Sequence, residues 1–401
     1  MPAIENPKNG NPEPMNTNNK RHRAVNILIG LLLFTLIWLV WPTPETYVTN
    51  NALPTIRPTW PGNRLIGHRL SDRTYINMPE VLGGDDQAPS RALRKSSLQN
   101  QPGLKSRTWR DELILKIYAN RRQDREIPDS APLSSIPLSN LWQTTGNTAV
   151  WLGHASFFIR IDGITFLTDP SYSPSACGYP RLLPEPDYNQ IRGLDYILLS
   201  SNQPTHADIQ TLERLRINNP SGVMLVPLGL RHWLGDLTKS APELIQEAGW
   251  FQQYRTYGNI TVTLMPARSW SGPTLSERDR TLWGSFIIQT PGHTLYFAGS
   301  SGWGNHYEQI ALHFPDIDYA FIPIGAFGPE SVMNKSQLTP EDVSRLCQTL
   351  RPRHIIPMSY GTYMTGDPLG EPLEQFLDLA AQGLLYSEPH ILTVGQIFAL
   401  P

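Results

Sequence analysis

From about residue 148 onward, short apolar runs alternate with segments of helical periodicity, and this alternation limits the possible folds more than any other feature of the chain. Two pairs of apolar runs, within 156–168 and 285–298, are each split by glycine and predict antiparallel hairpins. Thr339 followed by Pro340 predicts a helix start, because threonine caps helices and proline suits their first turn. The pattern as a whole predicts an α/β or α+β domain with more than one sheet.

The individual runs give a set of predicted elements. Strands are predicted at 149–152, 156–161, 164–168, 196–200, 223–227, 261–265, 285–289, 294–298, 320–323 and 354–357. Helices are predicted at 207–216, 229–234, 305–313, 339–350 and 371–379.

An apolar segment without charges, residues 24–41, lies far ahead of this domain. Its 18 residues approach the ~20 that a bilayer span needs. Lys20, Arg21 and Arg23 precede the segment, and a single charge, Glu45, follows it closely. The sequence therefore predicts one transmembrane helix, with the N-terminus in the cytoplasm and the main domain outside, in the periplasm if the source is bacterial. A cleaved signal peptide is the alternative, but no small-residue cleavage site follows.

The other boundaries follow from changes in composition. We expect a disordered cytoplasmic tail at 1–23, the anchor at 24–41 and a proline-containing linker and N-terminal extension at 42–105. Residues 106–144 contain an amphipathic helix, 106–124, and a connection that packs on the main domain. The main domain occupies 145–401.

Composition excludes several classes of protein. The chain has 33 Lys and Arg against 35 Asp and Glu, so it is not a generally basic nucleic-acid binder. Cys177 and Cys347 are the two cysteines, which excludes a disulfide-dense scaffold and a cysteine-rich zinc module. Whether these two cysteines pair stays open at this point.

Seven motifs follow one another along the main domain. They are WLGHASFFIRIDGITFLTDP (151–170), LDYILLSSNQPTHAD (194–208), VPLGLRHWL (226–234), LWGSF (282–286), YFAGSSGWGNHYEQI (296–310), IPIGAF (322–327) and MSYGTY (358–363). In this order and spacing the chain resembles the metallo-β-lactamase superfamily, in particular its N-acyl-phosphatidylethanolamine-hydrolysing phospholipase D branch. The resemblance implies an α/β fold, a metallo-β-lactamase-like αββα sandwich, with the active site at one edge where strand ends and loops meet.

The resemblance also implies a site for two zinc ions, held by H-x-H-x-D-H after one strand and by a histidine, a bridging aspartate and a last histidine from later loops. The matched positions in this chain are Ser201, Gln203, Thr205, His206, Ser269, Ser300 and Ser359. Only His206 keeps its ligand. Gln337 stands where the family often has a histidine near the substrate.

These replacements lead to the main functional prediction. Zinc requires three or four nitrogen, carboxylate or thiolate ligands before it activates water, and one imidazole among neutral oxygens does not supply them. The sequence therefore predicts a metal-free pseudoenzyme with no cofactor and no catalytic residue, which acts as a ligand-binding or regulatory protein. The eight positions just named, from Ser201 to Ser359, form the predicted ligand site. The rival is a metal-dependent, phospholipase D-like hydrolase of N-acyl-phosphatidylethanolamine or related lipids.

The expected partners follow from the anchor and the polar cleft. They are the membrane, through the N-terminal helix, an anionic lipid or similar amphiphile, and a protein partner or an active paralogue, with no nucleic acid. Arg268 would either contact a phosphate in the cleft or lie on the surface.

A serine hydrolase at the same place is a further alternative. His206 would act as the base for Ser201, Ser269, Ser300 or Ser359, with Asp169 or Asp208 orienting its ring. No Gly-x-Ser-x-Gly elbow supports this arrangement.

The remaining histidines of the main domain are predicted to be structural or surface residues, because none has a histidine partner two or four positions away. This group comprises His232, His293, His306, His313, His354 and His390. His154 and Asp169 are predicted to make buried hydrogen bonds beside the old site.

The predicted membrane topology can be checked with reporter fusions. A reporter that is active only outside the cytoplasm, joined after residue 43, is expected to be active, because the basic flank holds the N-terminus inside. A cytoplasm-only reporter at the same junction is the matched control and should be silent. Activity of the second reporter alone would show the opposite orientation or no insertion.

Overall fold

The computed structural model describes only part of the chain. It describes 57–58, 110–111, 113–115, 117 and 146–400, the last range without 177–178, 236–241, 275–276, 278, 364–366 and 368–369. All of these lie within the unit Thr46–Pro401. The predicted anchor, 24–41, lies outside the described residues and stays a prediction. Within the described ranges, no helix is both long and apolar enough to cross a membrane.

The described strands form two large sheets and one small hairpin. They are β1 (Arg57–Pro58), β2 (Thr148–Gly153), β3 (Ser156–Ile161), β4 (Ile164–Thr168), β5 (Ser175–Ala176), β6 (Tyr179–Pro180), β7 (Tyr196–Leu198), β8 (Val223–Pro227), β9 (Ile245–Ala248), β10 (Gln252–Gln253), β11 (Thr261–Met265), β12 (Ser285–Gln289), β13 (Thr294–Phe297), β14 (Tyr319–Pro323), β15 (His354–Met358), β16 (Glu388–Pro389) and β17 (Ile397–Ala399). One sheet has the order β17-β2-β3-β4-β7-β8-β9 and the other β1-β10-β11-β12-β13-β14-β15-β16, while β5 pairs with β6.

Helices connect and cover these strands. They are α1 (Ile209–Asn218), α2 (Leu230–Leu234), α3 (His306–His313), α4 (Glu330–Met333), α5 (Pro340–Leu350) and α6 (Glu371–Ala381). Short 3₁₀ turns lie at Tyr188–Gln190 and Pro242–Leu244. Residues 110–117, where described, are also helical, and Leu115 packs with Val332 and Met333 of α4. The described residues of 110–117 belong to the predicted 106–124 helix, whose packing on the main domain stays a prediction.

The main core lies between the two sheets. Every residue of β2 is buried, and β3 is almost fully buried, because both faces of these strands are covered. Phe157 of β3 meets Phe321 of β14 across the two sheets at a ring separation of 4.8 Å. Aromatic contacts of this kind bury the largest apolar areas in a core.

Helices cover the outer faces of both sheets. Leu212 and Leu215 of α1 pack with Leu199 and Val226 on one sheet. Tyr307, Ile310, Val343, Leu346 and Phe376, from α3, α5 and α6, join the core of the other. The described layers are therefore helix, sheet, sheet, helix, as the predicted αββα sandwich requires.

Most predicted elements recur in the structure. The strands predicted at 156–161, 164–168, 223–227, 261–265 and 285–289 have the observed bounds, and both hairpins are antiparallel pairs. α5 starts after Thr339, whose hydroxyl accepts the Asp342 amide in a capping box.

The differences have local causes. α1 begins at Ile209 and not at 207, because the Asp208 carboxylate caps it by accepting the Thr211 amide at 2.9 Å. The sequence analysis did not predict α4 or the strands β5, β6, β9, β10, β16 and β17, because each has only two to four residues and so shows no clear periodicity. Arg57–Pro58, placed in the predicted linker, pair in parallel with β10.

The ends of β14 and β15 lie against each other through a glycine. A Cβ added to Gly325, just after β14, would lie 2.3 Å from the backbone oxygen of Ser359, just after β15. No side chain fits this approach, so Gly325 fixes how closely the two strand ends meet.

Gly325→Ala is therefore expected to lower the free energy of unfolding by about 1–3 kcal/mol or more, since the backbone must shift. The control is Gly292→Ala, in the β12–β13 turn, where nothing lies within 4 Å of an added Cβ. This control should stay within ~0.5 kcal/mol of the parent chain. Urea unfolding measures both, and equal values for the two variants would contradict the proposed close contact.

Candidate functional site

The predicted site residues lie where strands end on one edge of the sandwich. Asp169 follows β4, His206 lies in the loop after β7, Ser269 follows β11, Ser300 follows β13 and Ser359 follows β15. Because strand ends at the same edge bring their loops together, the structure does gather these positions. The contacts described next show which of them touch.

Asp169 is the centre of this edge. Its carboxylate accepts the Ser200 amide and the Ser200 hydroxyl, both at 2.6 Å, and lies 2.7 Å from Nδ1 of His206. Both Asp169 and His206 are buried, and Asp169 has a positive φ of 35°. A buried carboxylate is costly unless it is paired, and these three contacts supply the pairing. The predicted buried hydrogen bonds of Asp169 are confirmed.

His154 lies next to this pair. Its ring meets the His206 ring edge-on, with centroids 5.1 Å apart, and its amide donates to the Thr362 hydroxyl at 2.6 Å. Burial lowers the pKa of His154 well below its usual value, and the nearby His206 and Arg181 lower it further. His154 is therefore a neutral imidazole at physiological pH.

Ser359 is the residue that the resemblance matches to the family's last histidine. Its backbone is left-handed, with φ 65°, and its amide donates to the His154 carbonyl at 3.0 Å. Positive φ in a residue other than glycine is uncommon and clusters at functional sites. The Ser359 hydroxyl is buried and has no hydrogen-bond partner among the described residues.

Other replaced positions bond to one another. The Gln203 side-chain amide donates to the Ser269 hydroxyl at 3.0 Å and to the Trp270 carbonyl at 2.7 Å. The Gln337 amide donates to the Ser300 hydroxyl at 2.9 Å. These pairs connect loops that metal ions would connect in the two-zinc site that the resemblance implies.

The site is largely shielded from solvent. Gln337 exposes 8% of its surface, and the other replaced positions expose less, except for Thr205, which is partly exposed. The Ser201 hydroxyl accepts a hydrogen bond from the Gln203 backbone amide at 3.3 Å, a contact within the same loop. The hydrogen bonds among the predicted ligand-lining residues therefore form two separate groups of neutral side chains, Ser201 with Gln203 and Ser269, and Gln337 with Ser300.

Arg268 is not the surface residue that one of the two sequence-based alternatives expected. It is buried, so it is not a surface residue, and its guanidinium donates to the Trp303 carbonyl at 2.6 Å. Its amide donates to the Ser301 hydroxyl, which also lies 3.0 Å from Nε2 of His306. Arg268 therefore ties the loop after β11 to the loop after β13.

The serine-hydrolase alternative lacks its central contact. Asp169 orients His206, whereas Asp208 caps α1. Among the described residues, no serine hydroxyl makes a hydrogen bond with the His206 ring. A base and its nucleophile need that contact or one close to it.

The donor set does not fit two zinc ions. Of the seven matched positions, only His206 carries an imidazole, and a single imidazole is too few ligands for two ions. Neutral hydroxyl and amide groups fill the others, and these are weak zinc ligands. No hydrolytic step through a dinuclear centre can be built on these residues.

A different group of potential metal ligands lies elsewhere. Within the described part of the chain, one group of three His, Cys, Asp or Glu side chains has its ligand atoms within 4.8 Å of one another: His354, Glu388 and His390. His354 and His390, predicted to be structural or surface residues, lie side by side on adjacent strands, a proximity that spacing along the sequence does not reveal. Burial lowers the pKa of His390, against the opposing effect of Glu388.

The open question about the cysteines is partly answered. Cys347 is a free, buried cysteine on α5, and burial raises its pKa to about 12. Cys177 lies outside the described residues.

Comparisons with known proteins agree on one family. The profile of the beta-lactamase superfamily domain matches residues 165–360. An uncharacterized protein of Mycobacterium tuberculosis is 32% identical over 288 residues, which are 66% of this chain and 72% of that protein. The N-acyl-phosphatidylethanolamine-hydrolyzing phospholipase D 1 of Caenorhabditis elegans is 27% identical over 270 residues, 64% of this chain and 76% of the enzyme. A possible metal-dependent hydrolase from Veillonella parvula shares the fold, with a TM-score of 0.50 at 13% identity over 64% of this chain and all of that one.

The expectation that the protein has no cofactor is contradicted. A protein of Pyrobaculum neutrophilum, 26% identical over 216 residues, 53% of this chain and 84% of that protein, is named a metal-dependent hydrolase. Absence of metal therefore cannot be taken from the replaced ligand positions alone, although these positions do not fit two zinc ions.

The buried His306 gives a pH test of the site. Burial, and then the nearby Arg268, lower its pKa to about 3. The folded state therefore keeps the ring neutral, while the unfolded chain takes up a proton below about pH 6.5. His306 thus contributes stability above that pH that is lost as the pH falls toward 3.

His306→Gln is accordingly expected to flatten the pH dependence of unfolding between pH 6.5 and 4 by up to about 1.4 kcal/mol per pH unit. Urea unfolding at several pH values gives the slope, which is independent of any constant loss of stability in the variant. A slope equal to that of the parent chain would contradict the neutral, buried state of His306.

Proposed function

Because this chain belongs to the metallo-β-lactamase superfamily and resembles its N-acyl-phosphatidylethanolamine-hydrolysing branch, we propose that it is a membrane-anchored binding protein that does not hydrolyse its ligand. Its cleft at the strand ends would hold the polar head of a lipid-like amphiphile, and this occupancy would regulate a partner. The anchor, 24–41, would keep the cleft close to its lipid.

The observation that carries the proposal is the pairing of the replaced positions. Gln203 with Ser269, and Gln337 with Ser300, join by side-chain hydrogen bonds the loops that two ions would otherwise join. Two-metal hydrolysis needs ions that generate hydroxide and clamp the attacking and leaving oxygens. Neutral amides and hydroxyls can bind a phosphate or an amide but cannot do either of these tasks.

The unsatisfied Ser359 hydroxyl supports a ligand in the same place. Buried polar groups nearly always have a hydrogen-bond partner, in the protein, in water or in a ligand. Ser359 has none among the described residues and is held in a left-handed backbone, next to the His154 carbonyl. A ligand head group that reaches Ser359 would supply the missing partner.

A metal-dependent lipid hydrolase is the second candidate. The names of the relatives from Caenorhabditis elegans and Pyrobaculum neutrophilum favour it. The Asp169–His206 pair also favours this candidate, because histidines that bind a metal or act as a base are commonly oriented by a carboxylate on the other ring nitrogen. The two candidates differ in whether lipid turns over.

Turnover is tested directly with the full chain in detergent micelles containing N-acyl-phosphatidylethanolamine, with added Zn²⁺. We expect release of the phosphatidic acid product to be no faster than for His206→Ala, because the other ligand positions cannot hold the ions. Turnover that both chelator and His206→Ala abolish would establish the hydrolase and refute the proposal.

Ligand binding is tested with a short-chain phosphatidylglycerol as the probe. Ser359→Ala is expected to weaken binding about tenfold, close to the 1.4 kcal/mol that one hydrogen bond contributes, without loss of stability. Ser344→Ala is the matched control, because this α5 hydroxyl donates to the Leu384 carbonyl, away from the cleft. Titration calorimetry gives both affinities. Equal binding by the parent chain and Ser359→Ala would place the lipid outside the cleft.

A further inference from the structure

We propose that His354, Glu388 and His390 form a binding site for one divalent transition-metal ion, with Zn²⁺ as the reference ion, at the end of the sandwich opposite the cleft. Two imidazoles and one carboxylate are a ligand set that zinc accepts, with the fourth position left to water.

The backbone brings the three side chains to one face. β15 and β16 pair in parallel, with His354 opposite Glu388. His390 lies two residues after Glu388, and its amide donates to the Ile355 carbonyl at 2.9 Å, which continues the pairing. Since side chains two residues apart along a strand point to the same side, all three point the same way.

The separations between the ligand atoms suit a single ion. Nδ1 of His354 lies 3.0 Å from Nε2 of His390 and 3.2 Å from Oε2 of Glu388, and Nε2 of His390 lies 3.8 Å from Oε1 of Glu388. Ligands of a tetrahedral zinc ion with bonds near 2.0–2.1 Å lie about 3.3 Å apart. The observed separations scatter around this value.

Aromatic neighbours hold both imidazole rings. His354 stacks on Tyr319 with centroids 4.9 Å apart and planes 19° apart. His390 packs on Phe398 at 4.6 Å, and Phe398 also meets Tyr319 at 6.5 Å. Rings that are fixed in this way lose little freedom when they bind an ion, which favours binding.

Charge and access also favour a cation. The His354 and His390 side chains are 23% and 19% exposed and Glu388 is 65% exposed, so an ion can reach them from solvent. Glu388 brings one negative charge to two imidazoles. The nearest cation in sequence is Arg353, which pairs with Asp318 at 3.2 Å. Adjacent residues along a strand point to opposite faces, so we expect Arg353 to point away from His354.

The site is separate from the cleft. His354 is the first residue of β15 and Ser359 follows the last, so the two positions lie roughly 16 Å apart along the strand. Binding at this site needs none of the replaced ligand positions, and the proposal does not depend on the function of the cleft.

The test measures Zn²⁺ binding by the full chain, purified without an oligohistidine tag. We expect one ion per chain by equilibrium dialysis and, with Co²⁺ as a substitute, the strong visible absorption of a tetrahedral ion. Glu388→Gln should weaken Zn²⁺ binding at least tenfold and remove the Co²⁺ bands. Because Glu388 is mostly exposed, this variant should fold, which circular dichroism can verify.

A control variant separates this site from other sources of binding. His232→Gln removes an exposed imidazole from α2 and should bind Zn²⁺ as the parent chain does. Zn²⁺ binding that is retained in Glu388→Gln would place the ion elsewhere and overturn the proposal, as would failure of the parent chain to bind.

Discussion

The carboxylate of Asp169 is the constraint on which the rest of the site depends. It binds the amide and hydroxyl of Ser200 and Nδ1 of His206, and so it joins the ends of β4 and β7. Its own backbone is left-handed, and it is fully enclosed. A buried carboxylate that lost one of these partners would leave a charge without compensation, which is among the most damaging changes in a protein interior. Asp169 therefore holds both ends of the loop from 200 to 206, while Gln203 ties its middle to Ser269 and Trp270.

Around this fixed point, two kinds of bridge can hold the loops together. Metal ions would join them with strong bonds between charged groups, whereas here Gln203 with Ser269 and Gln337 with Ser300 join them through neutral hydrogen bonds. Each such bond contributes only about 1 kcal/mol net, but the buried groups would cost more if left unpaired. These bonds therefore help to hold the described loops in place, and their amide and hydroxyl groups carry no charge.

The sequence predicted the fold well because the signals were local. The hairpin 156–168 and the capped start of α5 at Thr339 depend on neighbouring residues, and the family motifs fixed the sandwich. Residues 388–390 could not be predicted, since a two-residue strand has no periodicity and its pairing with β15 is a tertiary event. The burial of Arg268 was missed for a similar reason: its partner, the Trp303 carbonyl, lies 35 residues away.

β15 illustrates why a scaffold can keep its shape while its ligand positions change. At its C-terminal end, the close approach to Gly325 and the bond to the His154 carbonyl fix the backbone of Ser359, which the resemblance matches to a family ligand. At its N-terminal end, backbone pairing with β16 brings His354 next to Glu388 and His390. In both places the main chain sets the positions and the side chains set the chemistry. Residue identity at a strand end therefore shows what that end can bind, and the fold alone does not.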